Sequence, residues 1–135
     1  MEKSCGCIII KNNTVLLEKQ KHEDERLWSF PKGHQETDET DIETAIRETK
    51  EEVGLDVIIT DKNPITISYM VKNGTVKKTV LLFLAKLNPS HEEKIVLQEA
   101  EVEDARWVSF DEAAELLTFE LSKNAWAEAR KRLNQ

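Results

Sequence analysis

The chain has 135 residues, 39% of them apolar and 33% charged, with a net charge of −7. That length supports one domain, 1–135, with a real hydrophobic core, and the composition excludes disordered, collagen-like and fibrous classes. An excess of negative charge is a poor match for duplex nucleic acid or an anionic membrane, and no apolar run reaches the ~18 residues of a transmembrane helix.

The first residues, Met1 to Cys7, lack the apolar stretch and cleavage pattern of a signal peptide. Cys5 and Cys7 share one face of a strand, without the Cys-x-x-Cys spacing or a second pair for zinc. A reduced, cytoplasmic protein with two inert cysteines is expected. Ile8–Ile10 and Val15–Leu17 flank an Asn-rich turn and read as a β-hairpin. Residues 20–26 read as a charged loop. Leu27–Phe30 is a short extended piece stopped by Pro31, and Pro31–His34 reads as loop. Thr40, with Glu43 three residues on, has capping-box spacing, and Gly54 suits the end of the helix it starts. Val57–Ile59 and Ile65–Val71 read as strands, and Asn73-Gly74 marks a hairpin turn. The return strand, Val76–Leu87, is apolar in its second half and so expected to be buried. A polar stretch over 88–94 follows, then a strand at Ala105–Val108 and a helix from Asp111 to Leu117. The last helix aligns Leu121, Ala125, Ala129 and Leu133 on one stripe, with Trp126 beside it and Arg130-Lys131-Arg132 to complement its C-terminus. Strands and helices mix without regular alternation, which argues for an α+β fold, a mixed sheet sandwiched by helices.

The negative charge is concentrated. Between Gly33 and Leu55 eight carboxylates face only Arg47 and Lys50, so −6 of the −7 lies there. On a helical wheel with Arg47 at zero, Glu51, Glu48 and Glu52 fall near about 40°, 100° and 140°. Thr49, Ile42, Val53 and Ile46 fall near about 200° to 260°, the core side. Like charges at i and i+4, such as Glu48 and Glu52, repel. A cation relieves that repulsion, and ligands that are all hard oxygens select magnesium, manganese or calcium over zinc or copper. An ordinary exposed acidic face is the plainer alternative.

Gly33, five residues, Glu39, seven residues, then Arg47-Glu48-Thr49-Lys50-Glu51-Glu52-Val53-Gly54-Leu55 resembles the 23-residue signature of the Nudix hydrolases. All seven fixed polar or glycine positions match. Thr49 stands where the family has an aliphatic residue, and its hydroxyl can bond back to the helix. Thr37-Asp38 stands where members often have Pro-Gly. The resemblance implies a mixed sheet clamped between helices and hydrolysis of a nucleoside diphosphate linked to a further group. It implies Mg2+, with Mn2+ as a substitute, held by Glu51, Glu52, Glu48 and the Gly33 carbonyl. Glu48 is a ligand or the general base, Arg47 orients the carboxylates, and Glu39 fastens the loop to the helix.

Outside that box, Trp28 to Glu36 resembles the asymmetrical diadenosine tetraphosphate hydrolases, in which Trp-x-x-Pro-Lys-Gly precedes the box. Lys78-Thr79-Val80 and the run from Glu101 to Val108 extend the resemblance. It implies that Glu101 adds a metal ligand or a catalytic base, with Glu99 and Glu103 as rivals. Lys32 and Lys78 suit phosphates, His34 is a further candidate, and Tyr69 suits an adenine. Surface lysines and a packed tyrosine are the plain alternatives. The implied reaction turns diadenosine tetraphosphate into ATP and AMP. Nucleoside triphosphates, oxidised ones included, or RNA 5′ ends are the alternative substrates. A nucleotide sensor that does not cut is a third reading, disfavoured because every box carboxylate is present. The expected partner is a small nucleotide, with no duplex nucleic acid and no membrane. Monomer and homodimer both stay open.

Overall fold

The computed structural model describes residues 2–21, 27–91 and 93–134. Most of the charged loop read over 20–26 therefore lies outside the described residues. The described residues form eight strands, Glu2–Lys11 (β1), Thr14–Gln20 (β2), Trp28–Ser29 (β3), Lys32–His34 (β4), Val57–Ile59 (β5), Ile65–Val71 (β6), Val76–Leu87 (β7) and Val102–Ser109 (β8), and three helices, one after β4 and two after β8. The helices are Asp41–Val53 (α1), Phe110–Leu116 (α2) and Glu120–Leu133 (α3). This is the mixed α+β sandwich that the unalternating pattern implies.

β1 organises the sheet. Its residues 2–9 run parallel to residues 78–85 of β7, Ser4–Gly6 pair antiparallel with β4, and Ile10–Lys11 turn into β2. β6 and β5 add to β7, and β3 and β8 add to β2, all antiparallel. The segment expected as loop at Pro31–His34 is therefore partly strand. Gly6 makes this possible: a Cβ there would overlap the Pro31 carbonyl and Lys32, so only a glycine lets β4 seat against β1. At the Asn73-Gly74 turn both central residues have positive φ, 58° and 80°, as a type I′ hairpin requires.

Each face of the sheet buries its own cluster. On one, Cys5, Cys7, Ile9, Leu16 and Phe83 pack under Ala45, Val53 and Leu55 of α1 and its exit. On the other, Ile8, Leu17, Phe30, Ile67, Val80 and Leu82 pack against Ala113, Ala125, Trp126 and Ala129 of α2 and α3. Both cysteines are free and fully buried, and burial pushes their thiols up to about 11 and 12. They are packing groups, as expected. Trp28 and Trp126 are buried in the second cluster, and the Trp126 indole donates to the Phe110 carbonyl at 2.9 Å. The α3 stripe is shorter than its spacing implies, since Leu121 and Leu133 are exposed. Arg130 and Arg132 do more than complement the helix end: they reach Asp111 and Asp61 and tie α3 to its neighbours. No helix among the described residues is long and apolar enough to cross a membrane.

Candidate active site

α1 is fixed at both ends before it presents any chemistry. Thr40 Oγ1 accepts from the Glu43 amide at 3.1 Å, and Glu43 Oε1 accepts from the Thr40 amide at 2.9 Å. This closes the capping box and is worth about 1 kcal/mol. Gly54 takes a φ of 76° and its amide donates to the Lys50 carbonyl. The Thr49 hydroxyl, fully buried at the aliphatic position, donates to the Ala45 carbonyl at 2.8 Å. That bond removes the cost of burying a hydroxyl there.

Arg47 spends its donors on one cluster. Nε and Nη2 grip both oxygens of Glu39 at 2.6 and 3.0 Å, and Nη1 donates to Glu48 at 2.8 Å and Glu51 at 3.1 Å. Nη2 also donates to the His34 carbonyl at 3.0 Å, joining β4 to the helix. Glu39 accepts further bonds from the Glu36 amide and the Thr44 hydroxyl. The guanidinium, then these bonds, hold its carboxyl down at about 2, while the carboxylates push the guanidinium pKa up. Glu39 thus fastens the loop to the helix.

Beneath this cluster the environment changes. The wheel puts Glu52 on the polar arc, yet only 2% of it is exposed. The buried stripe of α1 is Ala45, Thr49 and Val53, so the core arc begins at Glu52's edge. There it meets Glu18 of β2, which is fully buried. The two carboxyls lie within hydrogen-bonding reach, and burial, then a hydrogen bond that Glu52 can make to Glu18 only when protonated, then the negative charge of Glu18 and the nearby Glu48, raise the Glu52 pKa well above the carboxylate range. Burial raises Glu18 as well. Its Oε2 accepts from Gln20 Nε2 at 3.3 Å, and its Oε1 receives no bond. Gly33 completes the layer: a Cβ there would overlap the Glu48 carboxylate, so the backbone of β4 lies directly against it. Hard oxygens from Glu48, Glu51, Glu52 and the Gly33 backbone, around a buried carboxyl pair that ionises fully only with a counter-ion, are a donor set that fits a hard divalent cation. Among the described residues no three such side chains already converge on one point, and Glu51 is turned to Arg47.

A cleft of about 440 Å³ opens on the other side of Lys32. Lys32 of β4, Lys78 of β7 and Tyr69 of β6 line it, Tyr69 and Lys78 being cross-strand partners. The structure thus brings together three of the four residues picked for substrate. Burial, with Lys78 nearby, lowers the Lys32 pKa. His34 is elsewhere: its side chain is exposed and does not line the cleft, and its carbonyl serves Arg47. Glu101 sits exposed in the turn before β8, where its carbonyl accepts from the Lys21 amide at 2.8 Å. Glu103 pairs with Lys19. Two residues of the site escape a reading of the sequence. Phe119, exposed at the rim of the cleft, lies in an unpatterned link between helices. Glu18 follows Val15–Leu17 like the polar end of any strand, and only its parity with Leu16 signals the buried face.

The NUDIX domain family model matches residues 2–131. The asymmetrical bis(5′-nucleosyl)-tetraphosphatase of Rattus norvegicus is 32% identical over 133 aligned residues, 90% of this chain and 88% of that protein. An RNA pyrophosphohydrolase of a Nitratiruptor species is 32% identical over 100 residues, 68% of this chain and 64% of that one. The solved structure of a C. elegans Ap4A hydrolase binary complex superposes with a TM-score of 0.84 at 25% identity, over 99% of this chain and 98% of that one. With the signature residues gathered on one capped helix and the match running nearly end to end, the chain belongs to the NUDIX domain family.

Proposed function

We propose that the chain hydrolyses diadenosine tetraphosphate asymmetrically, to ATP and AMP, with magnesium as its cation, and that it does so in the reducing cytoplasm. The observation that carries the substrate choice is the cleft: two lysines and a tyrosine stand beside the carboxylate layer, with Lys32 between the two. The likeness to tetraphosphatases supports it.

Lys32 and Lys78 neutralise phosphates beyond the scissile bond, and Tyr69 offers a ring to a base. Glu48, Glu51, Glu52 and the Gly33 carbonyl hold the cation, and Arg47 keeps Glu48 and Glu51 in place until it arrives. A divalent ion bound there supplies neutralisation of the phosphates and an acidified water. Glu48 or Glu101 would serve as the general base for the attacking water. For Glu101 the check is single Gln substitutions at Glu99, Glu101 and Glu103: only the one at Glu101 should slow turnover, and loss at either neighbour instead moves the role by two residues.

The reading itself is tested by incubating the protein with magnesium and a panel of nucleotides, with products resolved by chromatography. ATP and AMP in equal amounts from diadenosine tetraphosphate, at a higher rate than release from nucleoside triphosphates, is the expected result. Preferred release of pyrophosphate from triphosphorylated RNA would move the chain to the activity of its Nitratiruptor relative, a reading that the negative charge opposes.

A further inference from the structure

Glu18 is a buried acidic residue beside the box helix that lies outside the box itself. Strand alternation puts it on the same face as Leu16, under α1. It is fully buried, and its Oε1 is the one buried side-chain oxygen or nitrogen among the described residues with no hydrogen-bond partner. Across from it is Glu52, itself buried. The cation that could neutralise the pair from within the chain is already engaged: Arg47 is bound to Glu39, Glu48, Glu51 and the His34 carbonyl. Lys32 lies near enough to be felt but makes no hydrogen bond to either acid among the described residues. A buried carboxylate with an unused lone pair, facing a second carboxylate, is what a hard cation takes up.

We propose that Glu18 is an additional carboxylate ligand of the divalent cation, reaching it from β2 while Glu48, Glu51 and Glu52 reach it from α1. The inference rests on the metal centre put forward under the proposed function. Gripping one ion from both the strand and the helix locks α1 to the sheet at its catalytic end, so occupancy of the site and the seating of the helix become one event.

Manganese is the probe, with the full chain and no nucleotide. In Glu18→Gln the side chain keeps its length and its contacts with Gln20 and Glu52 but loses its charge. Titration followed by electron paramagnetic resonance should give a manganese Kd at least tenfold weaker than that of the native chain, with an unchanged circular dichroism spectrum. A crystal of the native chain soaked in manganese needs no variant: its anomalous peak should lie within about 2.6 Å of a Glu18 oxygen. An unchanged Kd in a folded variant, or an ion on Glu48 and Glu52 with Glu18 beyond coordination range, overturns the proposal while leaving the metal centre standing. If the native chain binds no manganese at α1, both fall.

Discussion

Two sets of carboxylates meet on and around α1, and the fold treats them in opposite ways. The outer set, Glu39, Glu48 and Glu51, is gathered by one guanidinium, and Glu39 is so well supplied with donors that it stays ionised down to about pH 2. The inner set, Glu18 and Glu52, is buried against itself with an oxygen left over. The side chain is the same, and Glu48, Glu51 and Glu52 share little more than one turn of helix, yet the counter-charge of the first set is built into the chain and that of the second must come from outside. Structure is read from the satisfied group and function from the unsatisfied one.

The sharpest way to break this contrast is Glu52→Gln. Turnover at saturating magnesium should fall by roughly 10²–10⁴-fold, about 3–5 kcal/mol of barrier. The metal-free melting temperature should hold, because the amide donates to Glu18 as the protonated Glu52 carboxyl does. A folded variant with near-native rate sinks the role given to the inner set. Next in size is the effect of the cation itself. Magnesium or manganese at a hundred times its Kd should add about 2.7 kcal/mol to the unfolding free energy. Melting is compared in EDTA and in either ion, with potassium chloride at matched ionic strength as control. No upward shift with either ion would mean that the inner set has no external counter-charge.

The outer set answers to pH instead. Glu39 titrates at about 2 in the folded chain against an ordinary 4.5. A depressed pKa contributes stability that is present above about pH 4.5 and lost as the pH falls toward 2. Urea midpoints of the native chain and Glu39→Gln should therefore differ at pH 6 and converge near pH 2. A gap that persists unchanged to pH 2 removes the ionic account of this loop. The smallest effect is expected at Asp38, which holds a φ of 71° where family members often have glycine. Asp38→Gly relieves a left-handed residue of about 1–2 kcal/mol, offset by glycine's greater freedom when unfolded. A net gain of about 0.5 kcal/mol in chemical denaturation is expected, with no change in rate.

These contrasts mark what the residues reveal on their own. The cap at Thr40, the stop at Gly54 and the back-bonded Thr49 follow from spacing and local chemistry, because each partner lies within one turn, whereas the fastening of the loop by Glu39 is implied only by the family resemblance and its grip by Arg47 is seen only in the fold. β4 does not, since three residues after a proline carry no strand pattern, and its pairing depends on Gly6, 26 residues upstream. Glu18 is invisible for a similar reason. Its burial is made by α1 and β8, so its role emerges only when those elements close over β2. Of the substrate candidates, Lys32, Lys78 and Tyr69 converge because adjacent strands place them together, whereas His34 points its backbone, not its ring, at the site.

The double role of β1 governs how the molecule is made. Its parallel partner begins at Lys78, so β1 has to wait until some seventy further residues have been made before its long ladder can form. Parallel pairing across such a separation is slow, because a large loop must close before any contact rewards it. A nascent chain that has emerged only as far as Gly54 already carries the whole acidic helix but has no sheet to hold it. The helix then presents five carboxylates, two cations and a half-formed apolar stripe to solvent. Synthesis of β7 is therefore the step that turns a solvated acidic segment into a site, and the interval before it is when the chain is most open to proteolysis.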